Sequence, residues 1–450
     1  MPDALPEARG FALRAGAPLR VGVAGLGTVG AGVLRLLRER AGLIAGRAGR
    51  PITVVAVSAR DRGLDRGIAL DGLDWHDDAA ELASAPGLDV VVEAIGGSEG
   101  AARRLVEGSL EAGRPVVTAN KALVAVHGAE LARLAARHGA PLGYEAAVAG
   151  GIPAIKAIRE GLSANRIARV AGILNGTCNH ILTEMRLRGL SFAEALAEAQ
   201  ALGYAEADPS FDVDGVDAAH KLAILAALAF GRPVDLASVH VEGIRRVSAL
   251  DIQLAAEFGY RIKLLGIASR VPSQDAQGVG EGVSARVHPC MVPLASPIAS
   301  VDGVYNAVLA EGDAVGRVML QGRGAGAGPT ASAIVADLID LARGRTAPVW
   351  GADTLDASPA VAMDRHVGAY YLRLMVSDRP GVIAEVTGVL RDERISLESM
   401  LQRSRSLDEP VPVVLVTHDC REDAMRRALA RIGALDAVLE PPALIRIENP

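Results

Sequence analysis

The residues of this 450-residue chain that could do chemistry fall into three groups. The first is Gly25, Gly27 and Gly30, a GxGxxG that also holds Thr28 and Val29. It lies between an apolar run at Leu19–Ala24 and a helical pattern in which Val33, Leu34, Leu36 and Leu37 are apolar while Arg35, Arg38 and Glu39 are polar. In that context the first glycine allows a tight turn, the second lets the backbone approach a pyrophosphate, and the third packs the helix on the strand. The helix N-terminus then faces the phosphates. The competing reading is a purely structural turn. The acid that commonly ends the second strand of such a unit is missing, since Val57 is followed by Ser58, Ala59 and Arg60. An acid there binds a ribose 2′-hydroxyl, whereas Arg60 attracts a 2′-phosphate, which favours NADP over NAD. The alternative is a solvated loop arginine.

The second group is Asp217 and Lys221, four residues apart and so on one face of an otherwise apolar helix. A surface ion pair has the same spacing. Here, however, the acids Glu206, Asp208, Asp212 and Asp214 precede the helix, which suits a cleft. The third group is Tyr144–Pro153, a strand running into a turn of small residues. Its backbone carbonyls and the Glu145 carboxylate suit a hard cation, although a plain loop reads the same way. Of the 47 basic residues only Lys121, Lys156, Lys221 and Lys263 are lysine and the rest are arginine, so a surviving lysine is a candidate for work that needs an amine.

These groups need a scaffold, and the hydrophobic pattern supplies one. Apolar runs at 52–57, 89–95, 115–118 and 141–144 alternate with helical stretches at 100–112 and 122–138. Strands buried on both faces and separated by helices predict a parallel, doubly wound α/β sheet over residues 19–150. A mostly helical stretch to about Arg232, followed by strands, predicts a separate α+β domain over 151–344. Its last helix, from about Thr330, returns to the first domain. Residues 345–368 read as a linker. Residues 369–450 read strand, helix, strand, strand, helix, strand, a ferredoxin-like unit. Residues 1–18 read as a loose leader without the apolar core of a secretory signal.

Composition narrows the function classes. Half the residues are hydrophobic, which excludes a disordered chain. Aromatics at 3% and a net charge of −6 argue against nucleic acid and anionic membrane as partners. The apolar run Leu222–Phe230 is far shorter than the roughly 20 residues a membrane span needs. Three widely spaced cysteines, Cys178, Cys290 and Cys420, fit a reducing, cytoplasmic compartment and neither a disulfide framework nor a zinc site.

Taken in order, GLGTVG at 25–30, VVEAIGG at 91–97, PVVTANKALV at 115–124, YEAAVAGGIP at 144–153, LNGTCNHIL at 174–182, GYAEADPSFDVDGVDAAHK at 203–221 and GRGAGAGPTASA at 322–333 resemble homoserine dehydrogenase. The tail at 372–390 resembles an ACT regulatory domain, and the whole resembles the monofunctional form of the enzyme. The resemblance implies NAD(P)-dependent interconversion of L-homoserine and L-aspartate 4-semialdehyde on the way to threonine, methionine and isoleucine. It places Lys221 as the proton-transfer residue, Asp217 as its partner acid, Lys121 as a second active-site lysine, and Glu206 and Asp212 as acids for the substrate ammonium. It places Ile95, Gly96, Thr118, Lys121 and Gly326 beside the dinucleotide. It implies a structural sodium ion at Glu145, Val148, Gly150 and Ile152, held chiefly by backbone carbonyls. A homo-oligomer, dimer or tetramer, follows from the two domains able to self-associate. Cys178 and Cys290 depart from the family pattern and read as buried small residues.

Two rival readings have distinct signatures. A semialdehyde dehydrogenase needs a thiolate and a base, and no cysteine here has a histidine in a nucleophile context. A non-catalytic sensor of nucleotide and amino acid needs none of Lys121, Asp217 and Lys221. In the tail, Asp378–Gly381 forms the turn where ACT domains bind amino acids, with threonine the expected effector and a ligand-free dimerisation module the alternative.

Overall fold

The structure is a computed structural model that describes residues 16–275, 278–352, 355, 358–402 and 410–450. Most of the expected leader and parts of the expected linker therefore lie outside the described residues. The chain forms two compact units that interleave in sequence. One holds residues up to Val170, His220–Ala237 and Tyr305–Ser358, and the other holds Ala171–Ala219, Ser238–Val304 and Pro359–Pro450.

The first unit is built on six strands: β1 (Leu19–Ala24), β2 (Ile52–Ser58), β3 (Asp74–His76), β4 (Val90–Glu93), β5 (Val116–Thr118) and β6 (Leu142–Gly143). Their order is β3-β2-β1-β4-β5-β6 and every neighbouring pair is parallel. Chain direction across the sheet reverses between β1 and β4, so a crevice opens beyond their carboxyl ends, where ligands of such sheets sit. Helices α1 (Thr28–Glu39), α2 (Ala101–Glu111) and α3 (Lys121–His138) form the crossovers. The Asn120 side chain caps α3 by accepting from Leu123 N, and Gly139 ends it in the left-handed conformation.

The strand β7 (Ile167–Ile173) leads from this unit into the next. Helix α4 (Gly176–Arg188) then belongs to the second unit, while α5 (Val216–Phe230) starts there and continues in the first. In the second unit β8 (Tyr260–Asp275) and β9 (Gly278–Pro293) form a long antiparallel pair. Strands β10 (Tyr305–Gly312) and β11 (Gly316–Arg323) pair in the first unit. They precede α6 (Ala327–Ala342), which packs on α1 and shares its core through Ile334, Leu338 and Leu341. A Cβ on Gly32 of α1 would lie 2.8 Å from the Ala327 carbonyl oxygen, so the two helices meet where only glycine fits.

The C-terminal segment is β12 (Val367–Val376), α7 (Val382–Asp392), β13 (Leu397–Gln402), β14 (Val411–Thr417), α8 (Glu422–Ile432) and β15 (Ala443–Ile447). The expected ferredoxin-like succession is present, with strand order β15-β12-β14-β13. Its sheet does not end at β15, which also pairs in parallel with β9 through Cys290–Arg446 and Met291–Ile447. Ion pairs reinforce that seam: buried Arg446 bonds buried Glu422 and part-exposed Glu242, and Arg286 bonds Glu448, both buried.

Candidate active site

The glycines of the first loop divide by what surrounds them. Gly25 has φ +89°, and a Cβ there would lie 2.3 Å from the Ala94 carbonyl oxygen. On Gly30 it would lie 1.8 Å from the Gly25 carbonyl oxygen. Gly27 differs, because a Cβ on it would meet nothing within 4 Å. The protein's own packing demands the first and third glycines, and the second stays bare toward a cavity. That cavity, of about 470 Å³, is lined by Gly25, Gly27, Ser58, Arg60, Arg66 and Ile95, among others. Its size suits a small-molecule site, and its glycine cradle fits the pyrophosphate of a dinucleotide. Thr28 and Val29 open α1 at the same place.

Arg60 is exposed on the rim of this cavity. The loop behind it is shaped by Arg66, which donates to the carbonyls of Leu64 and Asp61. The guanidinium groups of Arg62 and Arg66 sit 5.7 and 5.8 Å from the Trp75 ring centre. Across the crevice, Glu93 at the end of β4 is fully buried. Its Oε1 accepts from the backbone N–H groups of Ile95 (2.8 Å) and Gly96 (3.0 Å), and its Oε2 accepts from the Thr118 hydroxyl (2.5 Å). Thr118 in turn accepts from Asn120 N. This chain of bonds holds the Ile95–Gly96 loop and the start of α3, where Lys121 is half-buried. The Thr118 side chain is thus engaged by both Glu93 and Asn120 N.

In the second unit the acids fall into two kinds. Glu206 is exposed. Asp212, half-buried on the short 210–213 turn, and Asp217, only 3% exposed on α5, are brought together by Asn175. The Asn175 Nδ2 group donates to Asp212 Oδ1 at 2.7 Å and to Asp217 Oδ2 at 2.8 Å. Lys221, one turn along α5 from Asp217, is 9% exposed. A solvated surface ion pair is therefore excluded as the reading of this helix face.

Residues 25–145 match the family model of the homoserine dehydrogenase NAD-binding domain, residues 153–339 that of homoserine dehydrogenase, and residues 370–437 that of the ACT domain. A homoserine dehydrogenase of Pseudomonas aeruginosa is 47% identical over 443 residues, covering 96% of this chain and 99% of its own. One of Neisseria gonorrhoeae is 43% identical with the same coverage. The chain belongs to the homoserine dehydrogenase family. It is an oxidoreductase acting on a CH–OH group. The solved homoserine dehydrogenase of Thiobacillus denitrificans superposes with a TM-score of 0.89 at 47% identity, covering 96% of this chain and 99% of that one. A hyperthermophilic archaeal homoserine dehydrogenase in complex with NADPH, 26% identical, superposes with a TM-score of 0.60 over 72% of this chain and 97% of that one.

The other two lysines of this homoserine dehydrogenase chain hold structure. Lys156 pairs with Asp337 (3.0 Å) and Asp340 (2.6 Å). Lys263, its amine pushed down to about 8 by burial, donates to Asn179 Oδ1, the Val301 carbonyl and Asp302. The 145–152 turn is buried at Glu145, Val148 and Ile152, with Ala149 and Gly150 both at positive φ. Glu145 accepts from the N–H groups of Ile155 and Lys156, each at 2.9 Å, so its carboxylate serves the backbone. The Ile152 carbonyl accepts from Ala154 N. The Glu145 carboxylate and the Ile152 carbonyl are thus both engaged by the main chain, and among the described residues no group of three or more His, Cys, Asp or Glu is placed to hold a metal. Gly326, at φ +114°, begins α6 beside α1.

Cys290 does have a histidine partner, since its Sγ lies 3.2 Å from His288 Nδ1. Residues two apart on a strand share a face, and β9 places both there. Both are fully buried, and burial with Arg446 nearby holds His288 down to about 3, so the pair has neither substrate access nor an effective base. Cys178 is buried and donates to the Asp212 carbonyl, and burial pushes Cys420 up to about 11. Glu93 and Asn175 are the organising residues that sequence reasoning passed over. Both sit in the quoted motifs, but the partners Thr118, Asp212 and Asp217 lie 25, 37 and 42 residues further along the chain.

Proposed function

We propose that this chain reduces L-aspartate 4-semialdehyde to L-homoserine, and runs the reverse oxidation, with NADP preferred to NAD. The observation that carries this reading is the placement of Asp217 and Lys221 one turn apart on an apolar helix, largely removed from solvent, with Asp212 tied to the same acid through Asn175. The Gly25–Gly30 loop would hold the dinucleotide by its pyrophosphate, and the nicotinamide, when bound, would supply or take up the hydride at the carbonyl carbon. In reduction the Lys221 ammonium gives a proton to the aldehyde oxygen, and in oxidation its amine takes the hydroxyl proton. Asp217 orients Lys221. Glu206 and Asp212 hold the substrate ammonium, and Lys121 sits near both the nicotinamide and the substrate. Ile95, Gly96, Thr118 and Gly326 line the dinucleotide through their backbone. A sodium ion at Glu145, Val148, Gly150 and Ile152 braces the fold and takes no part in the chemistry.

The functional segments are 19–150 for the dinucleotide, 151–344 for the substrate and 369–450 for regulation, the last binding threonine near Asp378–Gly381 in a homo-oligomer that serves threonine, methionine and isoleucine synthesis. The first test is the initial rate of aspartate-semialdehyde reduction with NADPH and NADH in parallel. Activity with a clear NADPH preference supports the reading, and a folded protein inactive with both sinks it. The effector is tested by threonine titration of the full chain, because cutting at residue 369 would strip β15 of its β9 partner. No heat and no inhibition would remove threonine.

A further inference from the structure

We infer that Asn175 is a positioning residue for the reaction, acting by clamping the substrate acid Asp212 and the catalytic acid Asp217 to a single amide. The inference rests on the roles given to those two acids above. Asn175 is 4% exposed and its side-chain bonds are divided by function. Oδ1 accepts from Cys178 N at 2.8 Å and so caps α4, while Nδ2 donates one hydrogen to each carboxylate. An amide nitrogen has two hydrogens and is the one neutral group that can bridge two carboxylates while its own oxygen caps a helix. Serine or aspartate could make the cap. Serine has one donor, and aspartate has none when ionised and adds a third negative charge.

The clamp sets the angle of the two acids as well as their separation. Asp212 is held again through its main chain, whose carbonyl accepts from Cys178 Sγ at 3.2 Å. The first turn of α4 therefore grips the 210–213 turn at two points, and through Asn175 it grips α5 one turn before Lys221. Without the amide hydrogens the two carboxylates lose the donor they share, which favours their separation or the uptake of a proton by one of them. Separation would misplace the ammonium site and the acid–base helix together.

The test compares Asn175→Ser, Asp217→Asn and the double variant in homoserine oxidation, using the full chain. Serine keeps the helix cap and removes the bridge. Asn175→Ser is expected to lower kcat by about 10- to 100-fold and raise the KM for homoserine, as small misplacements at a reacting centre do. The KM for NADP is expected to stay within about twofold, which a general loss of structure would not allow. In the Asp217→Asn background the same substitution is expected to cost little more, because groups acting as a unit are not additive. Should Asn175→Ser fail to bind NADP, the isosteric Asn175→Asp, which keeps cap and volume, is expected to show the kcat loss. An Asn175 variant within about twofold of the parent in kcat and homoserine KM overturns the clamp, and so does an undiminished loss in the Asp217→Asn background. Full activity of Asp217→Asn alone overturns the role of Asp217, and the clamp with it.

Discussion

The nucleotide loop and the proposed acid–base cluster solve the same problem, holding groups at fixed separations, by opposite means. At the loop the holding is done by backbone. Gly25 and Gly30 are glycine because a Cβ would strike a carbonyl oxygen at 2.3 or 1.8 Å, and Gly27 is left bare. At the cluster it is done by side chains, with Asn175 bonding partners 37 and 42 residues further along the chain. Backbone constraints of that kind leave a local signature in sequence. A side-chain bridge leaves none. Substitutions in the two regions should therefore fail in different ways.

The largest effect belongs to the cluster. Lys221→Ala should lower kcat in both directions by about 100- to 10,000-fold, the usual worth of a positioned acid–base group. Because Lys221 is absent from the nucleotide loop, NADP affinity by fluorescence titration should be unchanged. A variant that kept its kcat would remove Lys221 from the reaction.

The loop should separate fold from ligand. Gly30→Ala drives a methyl into the Gly25 carbonyl, so the strand–turn–helix cannot close as it stands and thermal unfolding should come markedly earlier. Gly27→Ala meets nothing within 4 Å, so its melting temperature should match the parent. NADP affinity should nevertheless fall by about tenfold or more, about 1.4 kcal/mol, because the methyl would occupy space meant for pyrophosphate. Equal melting and equal affinity would show that this glycine faces no ligand.

Arg60 tests the rim of the same region. Arg60→Ala should cut the affinity for NADP by about tenfold while leaving NAD untouched, since the partner proposed for it is a 2′-phosphate. Equal loss for both cofactors would turn Arg60 into a generic contact, and no loss would return it to a solvated arginine.

What was legible beforehand follows the same division. The parallel sheet could be read from apolar runs alternating with helices, because strands buried on both faces must be apolar throughout. The βαββαβ tail could be read to within a few residues, since its helices and strands alternate with clear period changes. Its joining to β9 could not, because the Cys290–Arg446 pairing unites strands 156 positions apart and nothing in the Ala443–Ile447 run says that both of its edges are used. Lys121 and Lys221 stood out in a chain poor in lysine, but so did Lys156 and Lys263, which are bound to Asp337, Asp340 and Asp302. Rarity marks an amine that is needed without saying whether catalysis or packing needs it. Glu93 lay unremarked in VVEAIGG because its meaning depends on Thr118, on a strand that is distant in sequence and adjacent in space.

A different kind of effect belongs to the 145–152 turn, which is backbone-held like the nucleotide loop but has a titrating group beneath it. Burial, with Asp337 nearby, pushes Glu145 up to about 7 from the ordinary 4.5. The folded protein thus holds this proton more tightly than the unfolded chain. The stabilisation is fully present below about pH 4.5 and is lost as pH rises through about 7. At most it amounts to roughly 3 kcal/mol, at 1.36 kcal/mol for each unit. In sodium-free buffer the melting temperature of the parent relative to Glu145→Gln should fall between pH 5 and 8, since the amide cannot titrate. A cation held by neighbouring carbonyls favours the ionised acid. Sodium chloride in place of choline chloride should therefore raise the parent's melting temperature at pH 8 and flatten that difference. If sodium and choline gave the same curves, the turn would be a brace made of backbone alone.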